Sequence, residues 1–254
     1  MQRLVVILTA LLVAGACGGA LLAWKALGWR QGFKSYKALY QDFGGIAEHS
    51  AADAELAVSG HRLDAVFLGA SHTQDWGDLK RWFPGLRIAN RGVGGQAVPQ
   101  YLLRFRQDVL DLHPRAVVIE GCAVNATYGM PARAVIDSYA SMAELARIHG
   151  VEPILATTTP ISAALEKQQP GTNDQIRKIN DAMRQVARSG GYRVVDYYSA
   201  VADPDGALPA AGSSDGLHGN EKIYDRMAQA LRPVLEDALK AVAPVAPVER
   251  SVLR

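Results

Sequence analysis

The sequence predicts an α/β fold in which helices cover both faces of a parallel β-sheet. From Asp64 onward, short apolar segments alternate with longer segments of helical periodicity, and glycine or polar residues follow several of the apolar segments. Parallel strands need helical crossover connections, so this alternation is typical of α/β proteins. The 254 residues leave enough chain for one such domain once the two termini are set aside.

Five apolar segments are expected to be strands, and four longer segments with apolar residues every three or four positions are expected to be helices. The predicted strands are residues 65–68, 87–89, 116–119, 153–157 and 192–196. The predicted helices are residues 99–112, 132–149, 173–189 and 221–242. Ligands of parallel sheets bind beyond the carboxyl ends of the strands, so polar residues in those loops are candidates for a site.

The chain opens with an almost unbroken apolar run from Leu4 to Trp24, which is long enough to cross a bilayer as a helix. The sequence therefore predicts that residues 1–24 form a transmembrane anchor. Two alternatives stay open: a signal peptide cleaved after Ala14-Gly15-Ala16, and a lipoprotein modified at Cys17. All three predict a domain outside the cytoplasm, and the anchor and the lipoprotein also hold it at the membrane, although the basic residues that follow Trp24 are more common on the cytoplasmic side.

The rest of the chain divides into three parts. Residues 25–60 are expected to be a helical lead-in, residues 61–242 the folded domain, and residues 243–254, rich in proline and alanine, a disordered tail. The net charge of +2 gives no indication of nucleic-acid binding. No metal-binding motif is present, and the glycines of residues 92–95 lack the spacing of a dinucleotide fingerprint, so neither a metal nor another cofactor is expected. Cys17 and Cys122 are not expected to pair.

Asp215-Gly-Leu-His218 is the strongest candidate for catalytic chemistry. Because a flexible glycine separates the two residues, the carboxylate can reach imidazole Nδ1 and leave Nε2 free to accept a proton from a nucleophile. Ser71, which follows the first predicted strand through Gly69-Ala70, is the candidate nucleophile. Taken singly, the serine also fits a helix cap and the aspartate a loop cap.

Two loops are candidates for binding a developing oxyanion. The glycine-rich loop that contains Gly95 follows the second strand and offers backbone N–H groups, and Asn125 follows the third strand and offers a side-chain amide. A merely flexible loop and an Asx turn or helix cap are the structural alternatives. The other histidines lack an acidic partner at comparable spacing and are interpreted as surface or structural residues: His49, His61, His72, His113 and His149.

Taken in order, these segments resemble the sequence blocks of the SGNH/GDSL hydrolase superfamily, and more narrowly its bacterial arylesterase-like members. Phe67-Leu-Gly69-Ala-Ser71-His-Thr resembles the nucleophile block, and the loop of residues 90–96 with the helix after it resembles the second block. Asp215-Gly-Leu-His218-Gly-Asn220 resembles the Asp-x-x-His block. The resemblance extends over residues 40–238.

The resemblance implies a flavodoxin-like three-layer α/β/α sandwich with a five-stranded parallel sheet. It implies that Ser71 is the nucleophile and that His218 is the base, oriented by Asp215. The oxyanion hole would consist of the Ser71 N–H, the Gly95 N–H and the side chain of Asn125. The reaction would pass through an acyl-enzyme, which water hydrolyses or which transfers its acyl group to a sugar hydroxyl.

The chain departs from the family pattern at two positions. Ala70 stands where the nucleophile block normally has aspartate, so a carboxylate that ties down the nucleophile loop is missing. The third block normally reads Gly-x-Asn-Asp, and here Asn125 comes later than that pattern requires. Unless a bulge brings the Asn125 amide into the site, the oxyanion hole lacks its side-chain donor, a loss that lowers rates by about 10²–10³.

Three functions are consistent with these features. The first is a serine esterase that hydrolyses acyl esters, above all acetyl esters. The second is an O-acetyltransferase or acetylesterase that acts on a cell-envelope polysaccharide beside a membrane acyl-donor protein. The third is a catalytically weakened or inactive relative that serves as an assembly partner.

Overall fold

The computed structural model describes residues 15, 18–31, 36–37, 40–59 and 62–242. Its contacts divide the chain into two units, residues 1–43 and residues 44–254. In the first unit, residues 18–31 are helical. Most of the predicted anchor and the whole predicted tail of residues 243–254 lie outside the described residues. Among the residues that are described, no helix combines the length and the apolar character needed to cross a membrane.

The second unit contains a five-stranded sheet whose strands are all parallel. The strands are β1 Ala65–Gly69, β2 Ile88–Gly92, β3 Ala116–Ile119, β4 Glu152–Ala156 and β5 Arg193–Val195. Their spatial order is β2-β1-β3-β4-β5, which is the order of flavodoxin-like folds. The predicted α/β class and the five parallel strands are therefore confirmed.

Helices connect the strands. They are α1 Ser50–Ser59, α2 Ser71–Asp75, α3 Val98–Asp108, α4 Val124–Thr127, α5 Ala132–Ile148, α6 Ala163–Gln168, α7 Thr172–Gly190, α8 Tyr197–Val201 and α9 Glu221–Ala241, with 3₁₀ turns at Leu110–Leu112 and Ala210–Gly212. The four predicted helices correspond to α3, α5, α7 and α9. The short helices α6 and α8, of six and five residues, were not predicted, because so short a segment shows no periodicity.

Helices cover both faces of the sheet, so both faces are buried. Because successive residues of each strand point to opposite sides, each strand contributes to two apolar clusters. The apolar cluster on one face includes Val66, Leu68, Val117, Ile119 and Leu155, packed with residues of α3, α5 and α7. The cluster on the other face includes Phe67, Val118, Ile154, Val195 and residues of α8 and α9. Each fully buried side chain of this kind stabilises the fold by about 1.5–3 kcal/mol relative to exposure.

The helix α2, which begins at Ser71, packs closely against the ends of β1 and β2. At Gly92, the last residue of β2, a Cβ atom would collide with the backbone of Gln74 in α2. At Gly69, the last residue of β1, a Cβ atom would collide with the side chains of Glu120 and Thr73. Glycine at these two strand ends therefore allows α2 to lie directly on the carboxyl edge of the sheet, where the candidate site is found.

Candidate active site

Ser71 is the first residue of α2, two residues after the end of β1. Its hydroxyl is half-buried and lies 2.8 Å from Nε2 of His218. The distance is that of a good O–H···N hydrogen bond. The two residues are 147 positions apart in sequence, and the parallel sheet brings them together because both loops leave its carboxyl edge.

Asp215 forms a hydrogen bond with the other ring nitrogen of His218. The Asp215 Oδ2 atom lies 2.6 Å from His218 Nδ1, and Oδ1 accepts hydrogen bonds from the backbone N–H groups of Leu217 at 2.9 Å and His218 at 2.8 Å. The turn needs Gly216, whose φ is +82° and whose Cβ would collide with Ser162. With Nδ1–H donating to Asp215, Nε2 is left to accept the Ser71 proton.

The environment of Asp215 favours its ionised form. Partial burial acts to raise the pKa of this carboxyl, but the hydrogen bonds from the His218 ring and from the Leu217 and His218 N–H groups outweigh burial and hold the pKa well below its usual range. The carboxylate therefore remains charged when the neighbouring imidazole takes up a proton. The structure thus brings together the three residues that the sequence proposed as a triad.

Gly95 has a left-handed backbone, with φ of +77°, and a Cβ atom there would meet open space. In the described part of the chain, neither its N–H nor the Ser71 N–H donates to another protein group. Gln74 of α2 accepts a hydrogen bond of 2.6 Å from the N–H of Gly94, which fixes the glycine loop against the nucleophile helix. Both backbone donors proposed for the oxyanion hole therefore have no acceptor among the described residues, and α2 holds Gly94, the neighbour of Gly95, in place.

Asn125 does not join them, and the prediction of an oxyanion role for its side chain is corrected here. The residue is 0% exposed. Its amide N–H donates to the carbonyl of Cys122 at 2.9 Å, and its amide oxygen accepts from the N–H of Val98 at 3.2 Å. The side chain is used to tie the β3–α4 loop to the start of α3, so it cannot reach a ligand at the surface.

Glu120, which the sequence reasoning missed, lies beneath the nucleophile. It directly follows β3 and is 4% exposed. Its Oε2 atom accepts from the N–H groups of Ala70 at 3.0 Å and Thr73 at 2.8 Å, and also from the Thr73 hydroxyl. The signal in the sequence was an acidic residue at the end of a fully apolar strand. Burial raises the pKa of Glu120 to about 7, against the opposing effect of the Thr73 and Ala70 hydrogen bonds.

His72 is buried inside the site and is not a surface residue. Its Nε2–H donates to the Leu217 carbonyl at 3.1 Å, and its ring centroid lies 5.4 Å from that of His218. Burial, reinforced by the nearby charge of His218, lowers the pKa of His72 to about 4. His72 is therefore neutral near pH 7 and connects α2 to the loop between Asp215 and His218.

Arg104 of α3 braces the backbone of the site from below. It is 0% exposed and forms an ion pair with Asp108 one turn later in the same helix. The guanidinium donates to the carbonyl of Gly69 at 2.9 Å, to the carbonyl of Arg91 at 2.9 Å and to the Gln96 side chain at 2.8 Å. One buried cation thus joins the end of β1 to the glycine loop.

A groove of about 420 Å³ is lined by residues at the end of α2 and at the start of α9. It includes Gly219, next to His218, and its walls carry both charged and aromatic groups: Asp75, Asp78, Arg81, Trp82 and Glu221. Arg81 and Glu221 form an exposed ion pair at the groove, and the Arg81 guanidinium stacks over the Trp82 ring at 5.1 Å. The groove can therefore offer hydrogen-bond donors, acceptors and an aromatic surface to a polar ligand.

No group of three or more histidine, cysteine, aspartate or glutamate side chains is arranged to hold a metal ion among the residues that the structure describes. Cys122 is buried as a free thiol, and burial raises its pKa to about 12. Cys17 lies outside the described residues.

A parallel sheet that carries a serine, a histidine and an aspartate in one hydrogen-bonded series at its carboxyl edge has the arrangement of a serine hydrolase. The model of the GDSL-like lipase/acylhydrolase family matches residues 60–226, and the chain belongs to this family. By family it is therefore an acylhydrolase.

Individual relatives are consistent with this assignment. The chain is 27% identical to the uncharacterized lipoprotein YqeF of Bacillus subtilis over 179 residues, which cover 56% of this chain and 74% of that protein. A GDSL-like lipase from Bacteroides thetaiotaomicron is similar in structure, with a TM-score of 0.70, 26% identity and coverage of 78% and 100% of the two chains. A variant of Axe2, an acetyl-xylooligosaccharide esterase of Geobacillus stearothermophilus, shares the fold with a TM-score of 0.56 and 18% identity over 67% and 94%.

Proposed function

We propose that this protein is a serine esterase that hydrolyses short acyl esters, above all acetyl esters, with Ser71, His218 and Asp215 as its catalytic triad. The observation that carries the proposal is the unbroken series of hydrogen bonds from the Ser71 hydroxyl through both nitrogens of His218 to Asp215. This series supplies a nucleophile, a base and an acid that orients the base.

The reaction has two halves. Ser71 Oγ attacks the carbonyl carbon of the ester while its proton passes to His218 Nε2. The bond to the alcohol then breaks, and His218 returns the proton to the leaving oxygen, which leaves an acyl group on Ser71. Water attacks this acyl-enzyme while His218 takes its proton, and the carboxylic acid departs as the proton returns to Ser71.

The oxyanion of each tetrahedral intermediate would be held by the N–H groups of Ser71 and Gly95. Because the Asn125 amide is committed to Cys122 and Val98, no side-chain donor is proposed. Loss of one such donor lowers rates by about 10²–10³. We therefore expect a slower enzyme than one with three donors.

We propose that the acyl group is small, and the position of the glycine loop supports this. A Cβ atom placed on Gly94 would lie 3.9 Å from the Ser71 Cβ and 3.0 Å from the Gln74 amide oxygen. The glycine loop therefore lies close to the nucleophile, on the side where the proposed backbone donors are found. An acetyl group makes the smallest demand on this space, and a series of aryl esters from acetate to decanoate should show the highest kcat/KM at acetate.

Replacement of the nucleophile tests the mechanism. The Ser71→Ala variant should lose hydrolysis of an aryl acetate while its thermal unfolding is unchanged, and a fluorophosphonate should label the wild-type protein at Ser71 alone. Ser141→Ala, in which a partly exposed serine of α5 is removed, is the control and should retain full activity. Unchanged turnover by Ser71→Ala would reject the proposal, and an intact protein that no fluorophosphonate labels would favour the role of a non-catalytic assembly partner.

A second candidate function is the addition or removal of acetyl groups on a cell-envelope polysaccharide. The observation in its favour is the groove beside His218, because carboxylates, an arginine and a tryptophan can bind the hydroxyls and rings of a sugar. Incubation with an acetyl donor and a glycan, followed by mass analysis for O-acetylated product, separates transfer from hydrolysis. Arg81→Ala should raise KM for an acetylated oligosaccharide and leave KM for an aryl acetate unchanged.

The second candidate function also needs a place at the membrane, and we propose an extracytoplasmic domain held there by its N-terminus. In support, the related protein of Bacillus subtilis is named a lipoprotein, and this chain has Cys17 after an apolar segment. The anchor can be a lipid on Cys17 or an uncleaved helix. Cys17→Ala should move the protein to the soluble fraction in the first case only, and recovery of the wild-type protein in the cytosol would contradict both.

A further inference from the structure

The nucleophile helix α2 begins without a capping side chain. Its first residue is Ser71, and Ala70 occupies the N-cap position, where no side-chain hydrogen bond is made. The first N–H groups of any helix have no acceptor within the helix. Usually the N-cap side chain accepts a hydrogen bond from the N–H of the residue three positions later. In α2 that residue is Thr73.

Glu120 supplies the missing acceptor from a different strand. Its Oε2 atom accepts the Thr73 N–H at 2.8 Å, which is the bond that an N-cap side chain would make, and also accepts the Ala70 N–H at 3.0 Å. The Thr73 hydroxyl donates to the same oxygen. One carboxylate oxygen thus holds the residues on both sides of Ser71.

The other carboxylate oxygen faces the histidine side of the site. Glu120 Oε1 has no hydrogen-bond partner among the described residues and lies 3.9 Å from Nδ1 of His72. His72 in turn donates from Nε2 to the Leu217 carbonyl, in the loop that carries His218. The contacts of Glu120 therefore extend to both partners of the Ser71–His218 hydrogen bond.

We propose that Glu120 is a positioning residue: it caps the nucleophile helix from β3 and, with His72, sets the distance between the Ser71 hydroxyl and His218 Nε2. This role rests on the proposed esterase function. Glu120 touches no substrate, so its loss should lower kcat and leave KM little changed. A displacement of about 1 Å at a reacting group can lower rates by about 10²-fold.

A transfer of the carboxylate tests the proposal. Glu120→Ala should lower kcat for an aryl acetate by about 10–100-fold with KM within about twofold of the wild-type value. Adding Ala70→Asp in the same chain places a carboxylate at the N-cap, where it can accept a hydrogen bond from the Thr73 N–H. The kcat of this double variant should be at least about tenfold higher than that of Glu120→Ala. Glu120→Gln keeps one acceptor oxygen, so its kcat should lie between those of the wild type and Glu120→Ala.

Glu152→Ala is the matched control, since this glutamate begins β4 at the opposite edge of the sheet and pairs with Arg193. It should leave kcat unchanged. Wild-type kcat in Glu120→Ala would overturn the proposal. So would a double variant that unfolds at the wild-type temperature and regains no activity. If Glu120→Ala does not fold, the Glu120→Gln variant decides: kcat equal to that of the wild type overturns the positioning role.

Amide hydrogen exchange separates this inference from the esterase function itself. In Glu120→Ala the Ala70 and Thr73 amides should exchange faster, and Ala70→Asp should slow exchange at Thr73 again. A wild-type protein that turns over no ester would remove the proposed function, whereas exchange rates at Ala70 and Thr73 that do not respond to Glu120 would remove the capping role alone.

Discussion

At the scale of single residues, the surroundings of a side chain and its chemical type together decide what it does. Asn125 has an amide suited to an oxyanion hole, yet both ends of that amide are used inside the protein. Glu120 directly follows an apolar strand, yet its carboxylate accepts hydrogen bonds from the N–H groups of Ala70 and Thr73, on either side of Ser71. Two single-residue replacements follow from these environments.

Asp215→Asn should keep the shape of the triad and remove its charge. An amide cannot stabilise the protonated imidazole and can favour the wrong tautomer, so kcat for an aryl acetate should fall by about 10²–10⁴-fold at pH 7. Steady-state kinetics measure the loss, and thermal unfolding checks that the fold is intact. Asp225→Asn, an exposed change on α9, is the control. Equal kcat in Asp215→Asn and the wild type would show that the aspartate has no role in the reaction.

Glu120 should make the stability of the protein depend on pH. Its pKa is raised from 4.5 to about 7 in the folded protein, so the folded state binds this proton more tightly than the unfolded state does. The contribution to stability is therefore greatest below about pH 4.5 and is lost as pH rises towards about 7. Relative to Glu120→Gln, the wild-type free energy of unfolding should fall by up to about 3 kcal/mol over this range. Urea titrations of both proteins at pH 5 and pH 8 measure the difference in their free energies of unfolding. If that difference is the same at the two pH values, the pKa of Glu120 is not raised in the folded protein.

At the scale of secondary-structure elements, the site depends on how closely the short helix α2 lies on the strand ends. Gly92 permits this contact, because any larger residue would collide with the backbone of Gln74. Gln74 then holds the glycine loop through the Gly94 N–H. The packing of one five-residue helix therefore fixes Ser71 and also the glycine loop that contains Gly95.

Gly92→Ala should disturb this packing. The added methyl group has rigid backbone as its neighbour, so we expect a loss of about 1–3 kcal/mol in stability together with lower kcat. Gly28→Ala is a suitable control, because Gly28 lies in a helical segment with open space around it and the change should be neutral or slightly stabilising. Denaturant titration and aryl acetate kinetics measure both effects. If Gly92→Ala is as stable and active as Gly28→Ala, the close contact is not required.

At the scale of the whole domain, buried polar groups join elements that are distant in the chain. Arg104 links α3 to the end of β1 and to β2, and Glu120 links β3 to α2. These connections converge under the carboxyl edge of the sheet, where Ser71 and His218 lie. The stability of the domain and the geometry of its site therefore depend on the same buried polar side chains.

Arg104→Met should destabilise the protein strongly, because it leaves Asp108 buried without its cation. The expected loss is about 3–5 kcal/mol, measured by denaturant titration. The exposed pair Arg133–Asp137 has the same spacing within one helix, and Arg133→Met should change stability by less than about 0.5 kcal/mol. If both replacements lower the free energy of unfolding by similarly small amounts, the buried ion pair is not required for stability.

The sequence by itself determined the α/β class, the five strands and the main helices, and it predicted that Ser71, Asp215 and His218 act together. Those features depend on local periodicity and on short spacings, which a single chain displays directly. Only the tertiary structure decided that Asn125 faces inward, that His72 is buried, and that Glu120 caps α2. Each of these outcomes depends on contacts between residues about 25 to 150 positions apart, and such contacts form only when the parallel sheet brings the ends of its strands together.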